Sequence, residues 1–194
     1  MTASGSSEHE LIRRARAGDQ EAFTELVMNH ADRVYGALRR FGLDADEADE
    51  VAQEVFLRAW RGLTRFEERS HFSTWLYRIA FNEAQRRLSR RPAPRAEPDP
   101  DREGDPILAL PDAPEHEPDA QTLDREFERT LERALDELPA DLRAAIVLRD
   151  IEGLSTRDAA EVAGIREAAF KSRLHRGRMQ LRALLEPYLE LEKG

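Results

Sequence analysis

"STRDAAEVAGIREAAFKSRLHRGR", residues 155–178, decides how this chain reads. Ser155, followed three residues later by Asp158, resembles a capping box opening a helix, with Asp as a shorter form of the usual Glu. Ala159, Ala160 and Ala163 are small enough for close helix packing, and Gly164 can supply a left-handed turn. Ile165, Phe170 and Leu174 then recur where a second helix would pack back on the first. The spacing predicts a helix-turn-helix. Away from that packing, the second helix carries Lys171, Ser172, His175, Arg176 and Arg178. From Arg166 to Arg182 six positive side chains, Arg173 among them, stand against Glu167 alone. Such a run is commonly a solvated face. Behind this kind of turn it fits the major groove of DNA, where arginine and lysine grip phosphates or read guanine edges and serine donates to either. Phe170 is spaced with Leu174 and points inward, as core rather than reader.

This basic helix belongs to an acidic protein: 194 residues with a formal net charge of -9. That balance argues against wholesale coating of nucleic acid. It permits a local basic face, because screening makes charge a regional property over about 8–10 Å. With no cysteine, neither disulfides nor thiolate metal sites are available, which fits a reducing, cytoplasmic setting. The start, "MTASGSSEHE", lacks a basic segment leading into an apolar run, and no stretch approaches about 18 apolar residues. Neither secretion nor membrane insertion is expected.

Eight of the ten prolines fall between Pro92 and Pro118, and from Glu97 to Asp119 nine acidic residues stand against one arginine. Fixed backbone angles, missing donors and like-charge repulsion all work against packing there. Residues 92–119 therefore read as a flexible acidic linker between two helical blocks, residues 10–91 and 120–190, with residues 1–9 as a disordered N-terminus. The fold class expected is all-α, with two small helical domains. In the first block Phe23, Leu26, Val27, His30, Val34, Leu38 and Phe41 make one amphipathic stripe, ended by Gly42. "DADEADEVAQEVFLRAWRGL" repeats the rhythm behind a carboxylate-rich first turn. "FSTWLYRIAFNEAQRRLSRR" is a third helix, with Ser73 or Thr74 as its cap and Trp75, Leu76, Ile79 and Ala80 inward. In the second block Leu123, Phe127, Leu131, Leu135 and Leu138 form a stripe that stops at Pro139. A short helix then buries Leu142, Ile146 and Val147 before Gly153.

The first block ends in a positive run of its own, Arg78, Arg86, Arg87, Arg90, Arg91 and Arg95 against Glu83 alone. Just upstream, "RFEERSHFSTW" interleaves Phe66, His71, Phe72 and Trp75 with Arg65 and Arg69. Basic residues can track a phosphate backbone while aromatic faces stack unpaired bases. For each aromatic singly, Trp75 included, a core role is the commoner outcome. The acidic helix, Asp44 to Glu54, has no histidine within a turn and no fixed ligand spacing, so metal or acid–base chemistry is weakly supported. Gln53 and Glu54 beside Phe56 and Trp60 fit a protein-docking surface better, with a solvated face as the plain alternative.

In combination and in order, "AQEVFLRAW", "FSTWLYRIAFNEA", the linker, the Leu138–Pro139, Arg143 and "LRDIEGLS" pattern, and "KSRLHRGR" resemble the extracytoplasmic-function sigma factors, promoter-specificity subunits of bacterial RNA polymerase. The likeness runs from about Glu10 to Leu189. It implies that the first block is a region-two domain docking on the polymerase β′ coiled coil through Asp49, Glu50, Gln53, Glu54, Phe56 and Trp60. It implies that Phe66, Ser70, His71 and Phe72 capture an unstacked base of the −10 element, and that Trp75, Tyr77, Arg78, Asn82 and Arg86 lie along the melting strand. The second block would be region four, reading the −35 duplex with Arg166, Lys171, Ser172, Arg173, His175, Arg176 and Arg178 and resting on the β flap. An anti-sigma protein is implied as a further partner; no cofactor, metal or enzymatic activity is. Ala168, Ala169 and Phe170 stand where the family often has Gly-Thr-Val, and Glu50 where Asp is common. A stand-alone helix-turn-helix repressor or activator would account for the second block while leaving "FSTWLYRIAFN" idle. An enzyme built on the acidic helix is a third, weaker reading.

Overall fold

The computed structural model describes residues 7–68, 70–91 and 125–191, and among them every regular element is helical. The linker read between 92 and 119 and the first six residues lie outside the described residues. The N-terminal elements are α1 (Glu8–Arg16), α2 (Gln20–Arg40), α3 (Ala45–Gly62) and α4 (Phe72–Leu88), with a 3-10 turn at Leu63–Arg65. The C-terminal elements are α5 (Arg125–Glu137), α6 (Ala140–Ile146), α7 (Thr156–Ala163) and α8 (Glu167–Leu191), with a π turn at Val147–Ile151.

Local chemistry starts these helices where they start. Ser7 Oγ accepts from the Glu10 N–H, and Asp19 accepts from the Ala22 N–H. Asp44 and Glu47 close a full capping box on α3, side chain to backbone in both directions. α1 begins inside the stretch expected to be disordered, because Ser7 caps it and Leu11, Ile12 and Ala15 are buried against α2. α4 begins two residues earlier than a Ser73 cap, and three earlier than a Thr74 cap, would place it. His71 occupies the cap position without a side-chain bond, and burial of Phe72 and Thr74 sets the start instead.

α2, α3 and α4 pack together with α1 across α2. Leu26, Val34, Leu38, Val55, Leu76 and Ala80 are at most 1 % exposed, so the predicted stripes meet along one axis. The charged edges of α3 and α4 are stitched by ion pairs. Arg87 reaches Glu47 and Glu50, Arg91 reaches Glu47, and Arg58 links Glu54 to Glu83. Arg91, foremost, and Arg87 hold the Glu47 carboxyl below its usual range. Its ionised form is therefore favoured by folding.

In the second block the sequence predicts one short helix for the segment after Pro139. It is α6 running into the π turn, which carries Val147 and Leu148 into the core. α8 crosses α6 closely at Gly177. A β-carbon there would lie 3.1 Å from the Leu142 carbonyl oxygen and 3.1 Å from Ile146 Cδ1.

Two outcomes are expected. Gly177→Ala gains about 0.5–1 kcal/mol of helix propensity but meets a backbone oxygen that cannot move aside, an overpacking cost of about 1–3 kcal/mol. Urea unfolding should thus find a net loss of about 1 kcal/mol. Glu47→Gln should lower the melting temperature near neutral pH. Because the native carboxyl is depressed, its contribution is present above the unfolded carboxylate range and is lost as pH falls through that range and below. The two proteins should converge in thermal melts towards pH 3, about the foot of that range.

Candidate functional site

On α3, Asp49, Glu50 and Gln53 are exposed, while Glu54, Phe56 and Trp60 are half-buried. The helix repeat puts Asp49, Gln53, Phe56 and Trp60 on one face. Trp60 packs on Phe23 of α2 at 4.8 Å between ring centroids, leaving one side of the indole as a partly covered platform. Leu57, 49 % exposed, adds an apolar group beside this face. Sequence reasoning missed it because its helical position only marks it as unburied once the neighbours are known. Glu50 and Glu54 are drawn into pairs with Arg87 and Arg58, so the acidic rim is partly neutralised from within.

The segment before α4 is an aromatic knot. Phe66, Phe72 and Trp75 lie 5.1–5.7 Å apart, and His30 of α2 meets Phe72 edge-on at 5.3 Å. Phe66 and Phe72 are buried, Trp75 and Ser70 half-buried, and His71 exposed. The two phenylalanines form the floor of this loop rather than its contact surface, because they complete the apolar end of the first block. Glu68, in the left-handed backbone region at φ 54°, accepts from Arg16 at 2.7 Å and contacts His9 at 3.2 Å. Those partners on α1 fix a backbone shape that a side-chain-bearing residue adopts infrequently.

Along α4, Asn82 and Arg86 are exposed, with Arg86 paired to Glu83 at 2.8 Å. Tyr77 is not exposed. It is 2 % accessible, and its hydroxyl donates to Glu152 at the end of the π turn. Burial, then the Glu152 carboxylate, pushes its phenol well above the usual tyrosine range and keeps it a donor. Arg78 is paired with Glu161 of α7. The expected strand-facing row is thus divided. Asn82 and Arg86 face outward, while Tyr77 and Arg78 face the second block.

In the second block Ser155 Oγ accepts from the Asp158 N–H at 3.1 Å, and Gly164 makes the turn at φ 69° and ψ 28°. Without a β-carbon, Gly164 adopts this left-handed conformation at no steric cost. Phe170 is fully buried and Leu174 nearly so, which orients α8 as predicted. Arg166, Lys171, His175 and Arg178 are exposed, and Ser172, Arg173 and Arg176 half-buried. Three of these cations are held by nearby carboxylates. Lys171 pairs with Glu167 at 3.0 Å, Arg173 with Asp141 at 3.4 Å, and Arg178 grips both oxygens of Asp150 at 2.6 and 2.9 Å. Asp150 and Asp141 precede the helix-turn-helix, and nothing in their spacing announced them. Among the described residues, no group of three histidines, aspartates or glutamates is placed to hold a metal ion, and no helix is long and apolar enough to cross a membrane.

These elements match known families. The model for sigma-70 region 2 matches residues 26–92, and that for sigma-70 region 4 matches residues 128–181. The chain is 38% identical over 190 residues to the RNA polymerase sigma-H factor of Pseudomonas aeruginosa, covering 94% of this chain and 95% of that protein. It is 35% identical over 185 residues to the ECF RNA polymerase sigma-E factor of Haemophilus influenzae, covering 92% and 95%. Among solved structures it resembles the sigma factor RpoE, determined in complex with the anti-sigma factor NepR from Bartonella quintana. The TM-score is 0.62 at 27% identity, over 84% of this chain and 96% of that one. With both regions present in order and two relatives matched almost end to end, the chain belongs to the extracytoplasmic-function group of the sigma-70 family.

Proposed function

We propose that this protein is an RNA polymerase sigma subunit that directs core polymerase to promoters by reading a −10 and a −35 element. The observation that carries the reading is one chain holding two separate cationic helices, α8 behind a helix-turn-helix turn and α4 behind an aromatic loop. The two demand different DNA. A helix-turn-helix suits duplex, whose major groove admits α8. A loop of aromatics followed by arginines suits an unpaired strand, whose bases are free to stack or insert.

In this reading residues 10–91 form the polymerase-docking and −10 unit, residues 120–190 the −35 unit, and residues 92–119 the tether. Asp49, Gln53, Phe56 and Trp60 contact the β′ coiled coil, with Leu57 enlarging the apolar part and Glu50 and Glu54 as its charged rim. Ser70, His71 and the open edge of Trp75 receive a displaced base over the floor made by Phe66 and Phe72. Tyr77, Arg78, Asn82 and Arg86 follow the strand. Arg166, Lys171, Ser172, Arg173, His175, Arg176 and Arg178 face the −35 groove, while the remainder of the second block meets the β flap. The role is one of binding rather than enzymatic turnover and is exercised in the cytoplasm, where the polymerase works. An anti-sigma protein is a further partner, as NepR is for RpoE in the solved complex. A stand-alone repressor or activator is less favoured, because it leaves the α3 face and the aromatic loop without work.

Reconstitution with core polymerase tests this: the complex should open promoter DNA, detected by reactivity of unpaired thymines, and the protein without core should not. Asp49→Ala with Gln53→Ala should weaken core binding about tenfold, roughly 1.4 kcal/mol, without lowering the melting temperature. Lys171→Ala or Arg176→Ala should cost about 1–3 kcal/mol at −35 elements if the side chain reads a base. Where it touches phosphate instead, the loss should be uniform across sequences and the salt slope should fall by about 1.

A further inference from the structure

α1 precedes residues 26–92, where the chain matches region 2, and none of its side chains belongs to the docking or DNA-facing surfaces proposed above. It rests on α2 through Leu11, Ile12 and Ala15, and its polar edge reaches the loop ahead of α4. One guanidinium spans that loop. Arg16 Nε donates to the Leu63 carbonyl at 3.3 Å, and another nitrogen of the same group donates to Glu68 at 2.7 Å. The Leu63 carbonyl also accepts the Phe66 N–H at 3.1 Å, so Arg16 grips both ends of the segment that carries Phe66. The other Glu68 oxygen lies 3.2 Å from His9 Nδ1. From the first turn of α1, Glu8 meets His30 at 2.7 Å, and His30 in turn stands edge-on against Phe72. Among the described residues, Glu68 alone combines a side chain with positive φ, a backbone region that costs energy unless neighbours hold it.

We propose that Arg16 is a positioning residue for promoter opening. By clasping Leu63 and Glu68 it holds the loop in the shape that presents Ser70, His71 and the open edge of Trp75 to a displaced base. The inference rests on the base-capturing role proposed above for that loop. Arginine suits the task because its planar fork serves a carbonyl and a carboxylate at once, whereas the ammonium of lysine is a compact point charge. The clasp acts on the loop rather than on the fold. A partly exposed ion pair adds little to global stability, but a left-handed residue released from its partners returns to commoner backbone angles. Ser70 stands two positions beyond Glu68, so a change of backbone angle at Glu68 re-aims the residues that would meet the base. Leu11, Ile12 and Ala15 anchor α1 whether or not Arg16 is present. The loop can therefore lose its shape while the bundle keeps its own.

The test is promoter opening by holoenzyme reconstituted from core polymerase and the full chain. Abasic substitutions stepped along the −10 strand locate, with the unaltered protein, the position whose base speeds opening. The ratio of opening rates with and without that base is the capture ratio. Arg16→Ala should lower it about tenfold, because only loops still in the receptive shape capture the base. Core affinity and opening of the abasic template should stay unchanged. Glu68→Gly should keep the ratio, since glycine takes φ 54° freely, and adding it to Arg16→Ala should restore most of the loss. Glu68→Val, equally without a carboxylate but disfavoured at positive φ, should lose it. In the free chain, trypsin should cut after the exposed Arg65 faster in Arg16→Ala, at an unchanged melting temperature, because cleavage follows local opening. An unchanged capture ratio in Arg16→Ala overturns the proposal, and so does a loss that Glu68→Gly leaves unrepaired. Ser70→Ala plus His71→Ala should bring the ratio near one. If that variant leaves it intact, or no abasic position slows opening, the base-capturing role of the loop falls instead. The trypsin comparison then upholds the clasp if cleavage is faster in Arg16→Ala and overturns it if the rate is unchanged.

Discussion

The arginines of this protein stand between two kinds of anion, and that competition organises the structure. With charged residues at 36% of the chain, helices can offer only narrow apolar stripes to their cores, and the flanks of each stripe are ionic. Each guanidinium on those flanks finds a carboxylate of its own chain or is left facing solvent. Arg87 and Arg91 are committed to α3, where they tie the two central helices of the first block. Arg86 leans on Glu83 one turn away, and Lys171 on Glu167, both exposed pairs that water and salt weaken. The difference is one of work. Pairs at helix seams hold the bundle, while pairs on outer faces are easily exchanged for phosphate.

This sorting reconciles a net charge of -9 with a role on DNA. Non-specific affinity for nucleic acid comes mainly from phosphate electrostatics, and internal carboxylates compete for the same cations. A subunit that should read DNA only in the right assembly gains from such competition. Base readout is the more resistant part, because it depends on geometry that carboxylates on the same chain do not reproduce.

Much of the helical order was legible because it rests on local rules. The stripes of α2 and α3, the stop at Pro139, the Ser155 cap and the left-handed Gly164 follow from short-range sterics and hydrogen bonds. Where local reading went astray, a distant partner had intervened. α1 forms in a stretch read as partly disordered because α2 covers Leu11 and Ile12. The start of α4 follows burial of Phe72 rather than a serine or threonine cap. The π turn after α6 widens a helix that periodicity draws as continuous, and Gly177 is small because α6 passes beside it.

The roles of individual side chains divide in the same way. Residue order alone determined the all-α class, the turn before α8, the inward set of Phe170 and Leu174, and the identity of two cationic helices. Those features depend on spacing within a few turns, which a linear pattern records. Only the tertiary structure decided that Phe66 and Phe72 are a floor, that Leu57 is exposed, and that Tyr77 and Arg78 turn towards Glu152 and Glu161. Each of those outcomes depends on a residue up to 83 positions away, and pairing at that range is set by how whole helices pack, which no local period encodes.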